Sequence, residues 1–109
     1  MKTSELTGSA LDWAVAKTLG WVPHEVYVHL GYTWWKDQPY RPSDDWAHAG
    51  PIIEREGICI RGIEGGFHAW YPQTPPKMFG RRLLEAAMRC YVASKFGEEV
   101  EIPKELTDV

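Results

Sequence analysis

Apolar residues recur at helical spacing near both ends of the chain and at strand spacing between them, and one long stretch follows neither period. Leu11, Ala14, Val15 and Thr18 fall on one stripe at intervals of three and four, flanked by Ala10 and Leu19. Thr7 stands where a helix cap is favoured and Gly20 where a helix stops, so the spacing predicts a helix over about 8–19. Asp12 falls in its early turns, where the helix dipole favours an anion. Near the other end Leu84, Ala87, Met88 and Tyr91 repeat at i, i+3, i+4 and i+7, and Leu83 and Val92 widen that face. A second helix is predicted over about 80–96, stopping at Gly97. Arg82, Glu85 and Arg89 share its opposite face, the side expected to meet solvent.

From Glu25 to Tyr32 the pattern alternates, with Val26, Val28 and Leu30 on one side and Tyr27 and His29 on the other, which predicts a strand. Val22-Pro23 breaks the chain before it. Residues 52–63 predict one strand, or two broken at Gly57, and 67–71 another, joined through the hairpin signal Glu64-Gly65-Gly66. Pro72 to Pro76 reads as a link. Residues 33–51 hold three prolines, three Asp and three Trp, and predict a long irregular loop pinned by its aromatics. The order implies an α+β fold: a small, mainly antiparallel sheet with two helices on one face and a long Trp-rich loop. Tyr27, His29, His68 and Trp70 are the candidates for the sheet's other face.

The 109 residues suit a single domain over 1–109. At 44% apolar and 25% charged, the composition is that of a globular chain rather than a disordered or fibrous one. No apolar run is long enough to span a membrane, and the polar start MKTSELTG carries no apolar signal core, so the cytoplasm is the expected compartment. A net charge of −3 argues against double-stranded DNA as a partner. Cys59 and Cys90, far apart in apolar settings, predict reduced thiols. Six Trp residues make a chain rich in contact surface without saying what is contacted.

Few motifs carry chemistry. The four His lie in no metal-binding spacing, although His29 and His68 could meet across strands, and no metal or cofactor is expected. No nucleophile elbow or phosphate loop occurs. Asp44-Asp45 after Pro42-Ser43 reads most simply as a turn or helix-cap signal, while Glu54 and Glu56 would share one face of a regular strand. The charge pattern says more. Residues 77–97 carry five bases and one acid, and 98–109 five acids and one base. The tail could fold back onto the helix, or Arg81, Arg82, Arg89 or Lys95 could meet a phosphate, since an arginine fork binds two phosphate oxygens.

Two stretches carry a family likeness. They are Pro42-Ser43-Asp44-Asp45-Trp46-Ala47-His48-Ala49-Gly50-Pro51-Ile52-Ile53-Glu54-Arg55-Glu56, and Ala86-Ala87-Met88-Arg89-Cys90-Tyr91-Val92-Ala93-Ser94-Lys95-Phe96-Gly97 with the Glu98-Glu99-Val100-Glu101-Ile102-Pro103 that follows. With the opening Lys2-Thr3-Ser4-Glu5-Leu6 and Ala10-Leu11-Asp12-Trp13-Ala14-Val15-Ala16, the chain resembles the NinX family of tailed-bacteriophage and prophage proteins. The resemblance implies a small accessory protein of a family without established function or catalytic residues. The second helix opens here with Phe79-Gly80-Arg81-Arg82, where the family more typically has a short proline-led start, so Arg81 and Arg82 are not implied by it.

Accessory phage proteins of this size often counter host defence, and several sequester nucleotide signals. The expectation that follows is a non-enzymatic, homo-oligomeric binding protein for a small anionic nucleotide-like ligand. Its site would comprise Ser43, Asp45, Trp46, Pro51, Ile52, Glu54, Arg89 and Lys95. Trp46, with Trp34 and Trp35, would stack the base, Arg89 and Lys95 would neutralise phosphate, and Asp45 or Glu54 would accept from hydroxyls or amines. The alternatives are a module that blocks a host protein through the same aromatics, and a small nucleotide-processing enzyme.

Overall fold

The C-terminal helix is the element on which the others pack. Leu83–Phe96, here α3, buries Leu84, Ala86, Ala87, Met88, Cys90, Tyr91 and Val92, so apolar residues cover more than one stripe of it. A helix buried on several sides needs neighbours on several sides. In the computed structural model, which describes residues 1–21 and 25–107, those neighbours are helix α1 (Gly8–Thr18), helix α2 (Trp46–Glu56) and the three strands β4 (Cys59–Ile63), β5 (Gly66–Tyr71) and β6 (Thr74–Gly80). The predicted break at Val22-Pro23 lies outside the described residues.

The fold is α+β, with three α-helices and two small antiparallel sheets among the described residues. Strands β1 (Val26–His29), β2 (Tyr32–Trp35) and β3 (Gln38–Pro39) form one sheet, in that order, and β4-β5-β6 form the other. The single sheet expected from the sequence is thus divided. Tyr27 and His29 pair with Trp34 and Tyr32 in the first sheet, whereas His68 and Trp70 pair with Arg61 and Cys59 in the second. The expected face combining all four, and a meeting of His29 with His68 across strands, are both overturned by this division.

Three further segments differ from the sequence expectation for local reasons. The alternation over 25–32 is interrupted at Leu30-Gly31, which takes positive φ (55° and 77°) and turns the chain into a hairpin. The proline-rich link turns at 72–73 and from Thr74 opens strand β6 at the edge of its sheet, the position where a strand tolerates proline. The predicted loop over 33–51 is divided: it begins in β2, passes through β3 and ends in α2, which runs on to Glu56 in place of the first part of the predicted strand 52–63. Asp45 caps that helix by accepting from the Ala47 N–H at 2.8 Å, as the Asp44-Asp45 pair suggested. Gly57, at φ 69°, closes it by donating to the Ile53 carbonyl. Glu54 and Glu56 therefore stand on a helix, not on a strand.

Helix α1 lies under β2, and its Leu11, Ala14 and Val15 stripe is fully buried. The Trp21 and Trp35 rings stack beside it, 4.0 Å apart and 10° from parallel, with Tyr40 edge-on at 4.7 Å from Trp21. Trp34 is engaged within its own sheet, stacking toward Tyr27 and donating Nε1–H to the His29 carbonyl at 3.0 Å. The acidic tail joins the N-terminal arm rather than the basic helix. The backbones of Lys2 and Glu99 form an isolated antiparallel β-bridge, and the N-terminal ammonium donates to the Val100 carbonyl at 3.0 Å.

Gly80 is required by packing. A Cβ there would meet the backbone N of Ala86 and lie 2.8 Å from its Cα, so β6 could not approach the start of α3 with any larger residue. Cys59 and Cys90 are free thiols, and burial pushes Cys90 up to about 11. Among the described residues no helix is long and apolar enough to cross a membrane.

Candidate functional site

The expected site residues do not gather at one place. Ser43 is buried in the turn before α2. Asp45 serves as that helix's cap. Trp46 is 57% exposed in the first turn of α2, resting over Gly50. Pro51 and Glu54 are exposed further along the same helix, while Ile52 points into the core at 3% exposure. Lys95 lies on α3, 3.8 Å from Glu56 and 5.8 Å above the Tyr91 ring.

Arg89 differs most from its sequence expectation. Helical spacing puts it on the face opposite the apolar stripe, yet it is only 8% exposed. Its Nε–H donates to the Leu6 carbonyl at 2.7 Å and Nη1–H to the Phe79 carbonyl at 2.9 Å, with Glu85 at 3.5 Å. A buried cation is tolerated because those acceptors satisfy it. Desolvation lowers its pKa, with Glu85 opposing the shift. Arg89 thus ties the N-terminal arm and β6 to α3, and its Nε–H and Nη1–H are committed to that task.

A second group surrounds Glu56. Its carboxylate accepts from Tyr71 Oη–H at 3.0 Å and from Arg55 Nε–H at 3.2 Å. Burial alone would raise the Glu56 pKa. The hydrogen bonds from Tyr71 and Arg55 and the charge of Lys95 hold it below the usual value. Arg55 also donates to Tyr91 Oη at 3.2 Å and Ser94 Oγ–H to Tyr71 Oη at 3.2 Å. The carboxylate is thereby fully engaged by its own neighbours.

A polar concave site lies elsewhere, where the N-terminus of α1, the turn before α2 and the start of α3 converge. A cleft of about 360 Å³ is lined there by Thr7, Gly8, Ser9, Asp12, Tyr32, Arg41, Ser43, Asp44, Arg82 and Glu85. Ser43 is the one residue of the expected ligand site among them, and Arg82 is one of the four basic residues that the charge pattern offered for a phosphate. Thr7 occupies the cap position of α1 without a side-chain cap bond. Arg41 Nη2–H donates to Asp44 Oδ2 at 2.9 Å and Arg82 Nη2–H to Asp44 Oδ1 at 2.7 Å. Two guanidiniums from distant segments thus share one carboxylate at the cleft. Arg82, which the family resemblance did not imply, belongs to this site.

Asp12 lies at the cleft and is only 4% exposed. Its Oδ1 accepts the Ser43 N–H at 2.8 Å and so joins α1 to the turn before α2. Burial pushes its carboxyl up to about 7, against the lowering effect of the Ser43 hydrogen bonds and of Arg41. The sequence offered one sign of this burial. Asp12 and Lys17 are the only charged residues of α1, too few to clothe a solvated face.

Among the described residues, no three His, Cys, Asp or Glu side chains come together as a metal site. The family model described as bacteriophage P22, NinX, matches residues 2–95. No curated protein matches the chain.

Proposed function

The chain belongs to the bacteriophage P22 NinX family, and from that premise we propose that it is an accessory phage protein that binds a small anionic, nucleotide-like ligand without turnover. The convergence of Arg41 and Arg82 on one polar cleft carries this reading. Arginine forks match phosphate oxygens in geometry and charge. Tyr32, 52% exposed at the cleft, offers a ring face for a base. Asp12 and Glu85 supply acceptors for sugar hydroxyls or base amines. The cleft's size falls within the range of about 300–1,000 Å³ that small-molecule sites occupy. Sequestration of a host nucleotide signal in the cytoplasm of the infected cell is the role this binding would serve.

Titration calorimetry with a panel of ribonucleotides and cyclic dinucleotides tests the reading. Saturable binding of at least one, lost in the Arg41→Ala/Arg82→Ala variant while its melting temperature holds, supports it. A panel without saturable binding would overturn it.

A second reading rests on Trp46. An exposed indole at the start of a helix is a common interface anchor, and here it would engage a host protein. Affinity capture from host lysate distinguishes the two readings. One stoichiometric protein lost in Trp46→Ala, with nucleotide binding unchanged, would favour the host partner.

A further inference from the structure

We propose that Asp44 is a built-in competitor for the cleft, its carboxylate occupying the two guanidiniums that a ligand phosphate must engage. The inference rests on the anion-binding reading and names how that site selects its ligand.

Each Asp44 oxygen takes one arginine, Oδ1 accepting from Arg82 Nη2–H and Oδ2 from Arg41 Nη2–H, as two oxygens of a phosphate would. The arrangement is built by the fold. Arg41 and Asp44 belong to one turn, in which the Asp44 and Asp45 N–H groups both donate to the Arg41 carbonyl, at 2.9 and 2.7 Å. The Asp12 carboxylate holds the middle of that turn through Ser43 N–H. Arg82 arrives from a point 38 residues away, immediately before α3.

The contact is also easy to open. The Asp44 side chain is 38% exposed, and those of Arg41 and Arg82 are 50% and 68% exposed. Ion pairs this accessible to water are individually weak. A group with more charge and more oxygens than a carboxylate displaces Asp44, whereas a monoanion gains little over the contact it breaks. The site therefore selects ligands bearing a dianionic phosphate or two linked phosphates and rejects simple carboxylates. Asp44 is free to swing away because the helix cap is its neighbour Asp45.

Titration calorimetry with inorganic pyrophosphate on the full chain tests this. Asp44→Ala should bind pyrophosphate about tenfold more tightly than the wild type, since two weak pairs no longer compete and a like charge is gone. Asp44→Ala/Arg82→Ala should lose that gain. Asp44→Asn, which removes the charge and keeps the shape, serves if the alanine variant does not fold. Equal or weaker binding by Asp44→Ala, with the wild type still binding, overturns the competitor and leaves the anion site standing. A gain that survives removal of Arg82 overturns it as well, because general charge would then explain the effect. If neither chain binds pyrophosphate, the competitor and the anion site fall together.

Discussion

Replacing Arg89 with alanine removes the side chain that joins the two ends of the chain. Arg89 donates to the Leu6 carbonyl at 2.7 Å, across 83 residues of sequence, and to the Phe79 carbonyl at 2.9 Å. Each hydrogen bond from a charged donor contributes about 1.5–3 kcal/mol, and the truncation also strands two carbonyls beside a new cavity. Water entering that cavity offsets part of the loss, so the expected destabilisation is about 3–4 kcal/mol. For a domain of this size that lowers the melting temperature by roughly 10–20 °C. It is a large fraction of the roughly 5–15 kcal/mol that separates folded from unfolded chains. Urea unfolding followed by circular dichroism measures it. Arg89→Lys, which keeps the charge but cannot reach both carbonyls as a fork, should fall between alanine and wild type. A loss below about 1 kcal/mol in Arg89→Ala would refute the assignment of Arg89 as a structural tie.

The remaining predictions concern the cleft and its frame. Asp12 holds its proton to about pH 7 when folded, against 3.8 as its ordinary value, so between those values folding retains a proton that unfolding releases. Its contribution to stability therefore falls as pH rises from about 4 to about 7 and is flat above. Asp12→Asn, which keeps the acceptor for Ser43 N–H, should be more stable relative to wild type at pH 8 than at pH 5, by on the order of 2 kcal/mol in urea titrations. Asp45→Ala removes the α2 cap and should cost about 1 kcal/mol in the same assay. Gly80→Ala forces a methyl into the Ala86 backbone and should cost about 2 kcal/mol or more, seen as a lower urea midpoint.

Sequence and structure agree where one strong period governs a segment. Leu84, Ala87, Met88 and Tyr91 announced α3, and Glu64-Gly65-Gly66 announced the β4–β5 hairpin. Helix α2 was hidden because Gly50-Pro51 reads as a breaker and Ile52-Ile53 as the start of a strand. It forms because its ends are fixed, by Asp45 at one and Gly57 at the other, and because Ala49 and Ile52 are buried in the core. Strand β6 was hidden by Pro75-Pro76, which an edge strand accommodates. Arg89 illustrates the limit of helical periodicity: the face opposite the apolar stripe is solvated only if nothing packs there, and here the N-terminal arm does. The cleft was less legible still. Asp12 meets Ser43 across 31 residues and Arg82 meets Asp44 across 38, and neither pairing leaves a local pattern. The Trp-rich composition drew attention to aromatics, yet Trp21, Trp34 and Trp35 are engaged within the fold, and Tyr32 is the ring that borders the cleft.

On the proposed reading, Arg41 and Arg82 hold an anionic ligand in that cleft. Native mass spectrometry of the protein purified gently from phage-infected cells tests it most directly, alongside the Arg41→Ala/Arg82→Ala variant prepared in the same way. The expected spectrum shows a stoichiometric small-molecule mass on the wild type, released on denaturation and missing from the variant, and it also reads the oligomeric state. A bare wild-type chain, or a bound mass that the variant retains, would contradict it.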